Sequence, residues 1–320
     1  MIKGTAEMNT AVELSKIKQE LNIDFTKKLS NQKTKKSKFT ALIYGSKKTG
    51  KTTTTMLLPG RKLFFSFDGR TRIIYENLVD LGIIKADEVT VIDVAEDFDP
   101  NPELATKTGF ACYDFLLYAL KEEGPKNYDW HVYDGLDFYN RIAEMRMRYI
   151  EKQRAYGTID LSLWKKRSAF IASTHKLSLQ MVKKGVVYTN YYDDFSEYEF
   201  KDENGNLIQK KEPKYMDLVK EEIDFLFEQE EVTLKGQNKA VIRATVTGSP
   251  KDSMFKTGEY KILSGFKPLI TDELLRKYYP HLYEGEPEVT QTPQKEEKPK
   301  TIKIKEPEAK VETEGSFDFV

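Results

Sequence analysis

Apolar positions along this chain fall into short blocks separated by glycine, proline or charged breaks, and the blocks alternate between two periods. Thr40 to Tyr44 is a continuous apolar run and predicts a buried strand; Thr53 to Leu58 then opens a helix. After Pro59 and Gly60 the run Lys62 to Phe67 predicts a second strand, ending at Asp68 and Gly69. Ile73 to Leu81 reads as a helix, Val89 to Val94 as a third strand and Gly109 to Glu123 as a third helix, with a proline-rich loop around Pro100 and Pro102 between the last two. Trp130 to Asp134 predicts a strand, Leu136 to Lys152 a long helix, and Ala169 to Thr174 another buried strand, ending on His175.

The pattern dissolves from Lys176 to Pro213, where Asn204-Gly205 marks a hairpin inside an excursion longer than a connection needs. Met216 to Glu228 then reads as a helix, and Glu231 to Lys235 and Lys239 to Thr247 as two strands joined through Gly236, Gln237 and Asn238. A last strand falls near Tyr260 to Leu263, and Thr271 caps a terminal helix reaching about Tyr279. The sum is an α/β fold with a mostly parallel sheet and antiparallel strands towards its C-terminus.

Both ends differ from this core. Residues 1–38 carry nine lysines against four acids, with Val12, Leu14, Ile17, Leu21 and Ile23 at near-helical spacing, so they predict a helical, basic extension. Residues 284–320 are built of Glu, Lys, Pro and Thr, too poor in apolar groups to offset the entropy of ordering, and predict a disordered tail. The core domain spans 39–283. The tail ends with Phe317 and Phe319 flanking Asp318, either a docking peptide for a partner or an unselected tip.

Composition narrows the function. Lys plus Arg and Asp plus Glu are both 51, so no global field draws in a polyanion and any nucleic-acid contact must be local. Cys112 is the sole cysteine, which excludes a disulfide framework and a cysteine metal cluster and fits a reducing cytosol. No uncharged stretch is long enough to span a bilayer. The expected location is the cytoplasm, or a host's cytoplasm if the protein is viral.

The strongest chemical signal is Gly45, Ser46, Lys47, Lys48, Thr49, Gly50, Lys51, Thr52 and Thr53, in which two glycines separated by four residues precede Lys and Thr. Between a strand and a helix, such a loop wraps its backbone amides around phosphates where the helix dipole favours negative charge. Gly45 permits the turn, Gly50 a close approach, Lys51 reaches the β- and γ-phosphates, and the Thr52 hydroxyl sits on Mg²⁺. The expected ligands are ATP and Mg²⁺.

Further candidates follow from position. Asp134, at the carboxyl end of a strand, suits the second acid of a nucleoside triphosphatase that orients the metal together with Thr52; Asp137 is its substitute. His175, at the expected tip of another strand, is a candidate γ-phosphate sensor or a structural histidine. The stretch Arg154 to Arg167 mixes basic and aromatic residues as single-strand binding requires, with Tyr156, Trp164, Lys165 and Lys166 as contacts, although Trp164 also suits a core anchor. Lys183, Lys184, Tyr188, Tyr191 and Tyr192 extend the candidates into the excursion, where Asp193, Asp194, Glu197 and Glu199 oppose phosphate.

In order, GSKKTGKT, a strand ending FDGR, a strand ending VYDG, the YGTIDLSLW loop, ASTH and a late basic turn resemble the RecA-like ATPases of phages and archaeal viruses. The resemblance spans about Phe39 to Ile270 and implies a RecA core, Mg²⁺-dependent ATP hydrolysis, and assembly as a ring or filament on single-stranded DNA in recombination, annealing or replication. It implies Asp68 as the acid that activates water, Lys251 and Lys256 as cations acting on a neighbouring subunit's nucleotide, and a single-strand-binding or replication partner at the tail. The alternatives are a nucleotide-kinase-type phosphotransferase and a nucleotide-gated interaction protein with little hydrolysis.

Overall fold

Eight strands form one sheet in the order β10-β9-β8-β1-β5-β4-β2-β3, in a computed structural model that describes residues 37–192, 199–201, 207–209, 213, 222–233, 239–250, 253–263 and 265–284. The strands are β1 (Phe39–Gly45), β2 (Lys62–Ser66), β3 (Val89–Asp93), β4 (Trp130–Asp134), β5 (Gly185–Asn190), β8 (Phe225–Thr233), β9 (Ala240–Gly248) and β10 (Tyr260–Ile262). From β3 to β8 the pairing is parallel; β9 and β10 join antiparallel. A separate hairpin pairs β6 (Glu199–Lys201) with β7 (Leu207–Gln209), flanking the expected Asn204-Gly205 turn. The predicted α/β class with antiparallel C-terminal strands therefore stands.

Six helices cover the sheet among the described residues: α1 (Lys51–Met56), α2 (Thr71–Asp80), α3 (Ala105–Glu123), α4 (Leu136–Ile150), α5 (Leu161–Met181) and α6 (Asp272–Tyr278). Strand alternation sorts the core into two faces. Leu42, Tyr44, Phe65, Tyr133 and Tyr188 pack with α3, α4 and α5, whereas Ala41, Ile43, Phe64, Val132 and Val187 pack with α1, α2 and α6. Because both faces are covered, β1, β2, β4 and β5 are buried throughout and read as near-continuous apolar runs.

Two expectations are corrected. Ala169 to Thr174 is not a strand but the middle of α5, which Asp160 caps by accepting from the Ser162 amide at 2.7 Å. Its buried residues Ile171, Thr174, His175 and Ser178 recur at helical spacing, and no glycine or proline interrupts it. The missing central strand lies within the supposed excursion, as β5. The expected helix Met216 to Glu228 gives way to β8 from Phe225, where Phe225, Phe227 and Gln229 are buried in a period of two. The expected N-terminal helix and the terminal tail lie outside the described residues.

The parallel register brings Gly45, Asp134 and Asn190 to one edge of the sheet, with the chain beyond Ser66 beside them. The opposite edge is fastened by Lys184, a candidate DNA contact that proves buried: its ammonium meets Asp272 at 3.2 Å, Asp129 at 3.9 Å and the ring of Tyr283 at 4.7 Å. Lys184 thereby ties α6 and the chain after it to the amino end of β5. At the outer edge, Arg72 of α2 pairs with Asp93 at 2.7 Å and donates to the Val91 carbonyl at 3.3 Å, so a charged side chain covers part of β3. Among the described residues no helix is long and apolar enough to cross a membrane.

Close packing of β1 on β5 requires Gly185, since a Cβ there would stand 1.9 Å from the Phe39 carbonyl oxygen. Gly185→Ala is expected to cost at least about 1–3 kcal/mol by forcing the strands apart, measured as a lower urea midpoint with an unchanged slope.

Candidate functional site

Gly45 closes β1 at φ 154°, and a Cβ would stand 2.0 Å from the Gln229 carbonyl oxygen on β8, so the turn out of the strand demands glycine. Lys48 at φ 67° and Gly50 at φ 79° bend the loop back, and the Thr49 hydroxyl fastens it by donating to the Ser46 carbonyl at 3.0 Å. No atom lies within 4 Å of where a Gly50 side chain would start, which leaves the backbone open on that side. Beneath the loop, Gln229 is fully buried and donates to the Thr54 hydroxyl at 2.7 Å, joining β8 to α1.

Lys51 is buried at the start of α1. Its ammonium donates to the carbonyls of Gly45 (3.0 Å) and Ser46 (2.7 Å) and lies 4.4 Å from the centre of the Tyr191 ring. Burial lowers its pKa to about 8, against the opposing pull of Asp134, Asp137 and Asp68.

Asp134 ends β4 at 3% exposure. Its carboxylate accepts from Thr52 (3.0 and 3.1 Å), from Thr71 of α2 (2.7 Å) and from Thr189 of β5. Burial raises its pKa, and the three hydroxyls oppose the shift by stabilising the charged form. Thr189 does double duty, because its oxygen also accepts from the Gly135 amide at 3.0 Å, where the chain turns at φ 103° into α4.

These groups line a cleft of about 460 Å³ with Lys48, Thr53, Asp68, Arg70, Ile73 and Asn190. Asp68 is exposed beyond β2 and accepts from the Arg70 amide at 3.0 Å. A second cleft of about 660 Å³ adjoins the first, shares Asp68, Arg70 and Tyr191 with it, and adds Lys47, Asp93, Glu96 and Asp137.

The structure thus brings Lys51, Thr52, Asp68 and Asp134 to one cleft and leaves other candidates elsewhere. His175 is fully buried in α5, its Nδ1 2.8 Å from the Tyr188 hydroxyl in mid-strand, so it does not reach the cleft. The strand tip expected of it belongs to Asn190. Trp164 lies in α5, half-buried under the Arg167 guanidinium at 4.3 Å; Lys165 and Lys166 are both exposed, and Lys166 pairs with Glu151 at 2.6 Å. Tyr156 accepts from Arg141 at 2.9 Å and donates to the Pro100 carbonyl at 2.8 Å. Lys183 is exposed but sits with Lys184 at the amino end of β5, away from the phosphate loop. Lys256 is exposed on the loop after β9, towards the amino end of β8; Lys251 lies outside the described residues.

Thr71, Thr189 and Asn190 are cleft residues that sequence reasoning missed, and it offers Tyr191 only as a single-strand contact. For Thr189, Asn190 and Tyr191 the signal was the run GVVYTNYY, an apolar strand with a polar tip. Among the described residues no three His, Cys, Asp or Glu side chains form a metal cluster. One threonine hydroxyl and one carboxylate suit Mg²⁺, which commonly takes its remaining ligands from water and substrate phosphates.

No family model matches this chain, and no curated protein does. Among solved structures it is similar to a KaiC-like protein of Pyrococcus horikoshii at 10% identity and TM-score 0.38, over 70% of this chain and 84% of that one. It is also similar to the flagellar accessory protein FlaH of Methanocaldococcus jannaschii at 12% identity and TM-score 0.35, over 65% and 77%.

Replacing Thr189 by Val keeps the shape, removes one hydroxyl from Asp134 and leaves the Gly135 amide unpaired. The expected cost is about 1–3 kcal/mol in urea unfolding, whereas Thr189→Ser is expected to restore most of it.

Proposed function

We propose that this chain is a RecA-like ATPase that binds ATP with Mg²⁺ and hydrolyses it. The observation that supports this most is the hydroxyl of Thr52 resting on the buried Asp134 carboxylate beside the Lys51 ammonium. That set combines a phosphate-facing cation with the two ligands a phosphate-borne magnesium ion needs. The glycine-lined loop offers amides to the phosphates, Lys51 takes the β- and γ-oxygens, and Thr52 and Asp134 hold the metal. Magnesium supplies positive charge at the transferring group. Asp68, exposed in both clefts, orients a water for in-line attack on the γ-phosphorus and accepts its proton, while the bond to the bridging β-phosphate oxygen breaks and ADP leaves. Asn190, at the strand tip, faces the same cleft and takes the sensing place.

Binding to single-stranded DNA and assembly into a ring or filament are the finer reading. Their support is the sequence resemblance, with Tyr156, Lys165 and Lys166 exposed in and beside the Arg154–Asp160 loop. The adjoining cleft favours a second reading, in which an acceptor seated there receives the phosphoryl group in place of water.

Purified protein is expected to release phosphate from ATP only with Mg²⁺, and Lys51→Ala to lose about 100-fold or more of that turnover. Absence of turnover, or an intact Lys51→Ala variant, overturns the proposal. Added single-stranded DNA at two salt concentrations decides the finer reading, since phosphate contacts impose a salt slope. Phosphorylated product in a screen of nucleoside monophosphates favours the second.

Affinity carries its own pH signature. Phosphate needs the protonated Lys51 amine, whose pKa in the free protein is about 8. ATP affinity is therefore expected to be flat below that pH and to fall by up to tenfold per unit above it, measured by calorimetry.

A further inference from the structure

Tyr191 follows the tip of β5, where its amide donates to the Asn190 side-chain oxygen at 2.9 Å. Its ring stands between the two clefts and faces two ammonium groups of the phosphate loop, Lys51 at 4.4 Å and Lys47 at 6.0 Å. An ammonium has three N–H donors. In Lys51 two go to the Gly45 and Ser46 carbonyls, and the ring face takes up the remaining side of the charge. Lys51 therefore arrives at the cleft with its bonding capacity already filled by the protein.

A triphosphate must displace one of those three partners. The carbonyls are fixed, one at the strand end and one in the loop itself, and a π face is the weakest acceptor of the three. The ring contact is the one exchanged for a phosphate oxygen.

We infer that Tyr191 is a positioning residue that parks Lys51 while the cleft is free of nucleotide and competes with phosphate for its ammonium. The inference rests on the ATP-binding reading above. It gives Tyr191 a sign opposite to that of an ordinary wall residue, because removing a competitor strengthens binding. Burial, and then the nearby carboxylates Asp68, Asp137 and Asp134, push the Tyr191 hydroxyl up to about 12, so the ring faces Lys51 as the neutral phenol throughout the ordinary pH range.

The test compares Tyr191→Leu, which keeps apolar bulk without a π face, with Tyr191→Phe, which keeps the face. Binding of a non-hydrolysable ATP analogue with Mg²⁺ is followed by calorimetry, after melting curves have shown both variants folded. The expected result is about two- to thirty-fold tighter binding for Tyr191→Leu, the range for one cation–π contact, and parental affinity for Tyr191→Phe. In nucleotide-free protein, Lys51 should react faster with an amine-acylating reagent in Tyr191→Leu than in the parent or Tyr191→Phe, read by mass spectrometry of its peptide.

Equal or weaker binding by Tyr191→Leu, or equal Lys51 acylation in all three proteins, overturns the inference. Failure of the parent to bind the analogue instead overturns the ATP reading. The acylation comparison contains no nucleotide and judges Tyr191 independently.

Discussion

A single carboxylate holds the site together. Asp134 is nearly removed from water, and a charge in such a place is tolerated only when hydrogen bonds replace its hydration. It receives them from three threonines on three different elements: Thr52 at the start of α1, Thr71 at the start of α2 and Thr189 near the end of β5. The phosphate loop, the chain beyond β2 and the strand next to β1 are thereby fixed to one point. Charge and architecture are the same constraint here.

That constraint explains how the sheet order serves chemistry. β5 lies between β1 and β4, so the strand that leads into the glycine-rich loop and the strand that ends on Asp134 do not touch each other. The gap is bridged by side chains: Thr52 reaches across to Asp134, and Thr189 reaches from the intervening strand to the same carboxylate and to the Gly135 amide. A site built across an intervening strand leaves that strand's tip, Asn190 and Tyr191, facing the middle of the cleft.

Much of this was legible in the sequence. The glycine and lysine spacing located the turn between β1 and α1, and the apolar runs ending in Asp68 and Asp134 located two of the strands around it, because strands buried on both faces leave an uninterrupted signature. Thr271 announced α6 by its own chemistry, its side chain accepting from the Leu274 amide. One misreading moved several candidates at once. Ala169 to Thr174 is a short apolar run that fits a strand or a buried helix equally, and choosing the strand moved β5 out of the sheet and placed His175 at an edge it does not occupy. The lysines of the supposed excursion were then read as surface groups, yet Lys184 is a core anchor whose partners Asp129 and Asp272 lie 55 and 88 residues away and cannot be inferred from local pattern.

The outer edge of the sheet has one further consequence. β3 ends the parallel array, and a terminal strand ordinarily offers its free backbone to any passing extended chain. Arg72 occupies the Val91 carbonyl on that rim while held by Asp93. A foreign strand pairing at this rim would have to compete with the ion-paired Arg72 for the Val91 carbonyl, so an exposed side chain partly blunts this edge against uncontrolled sheet growth.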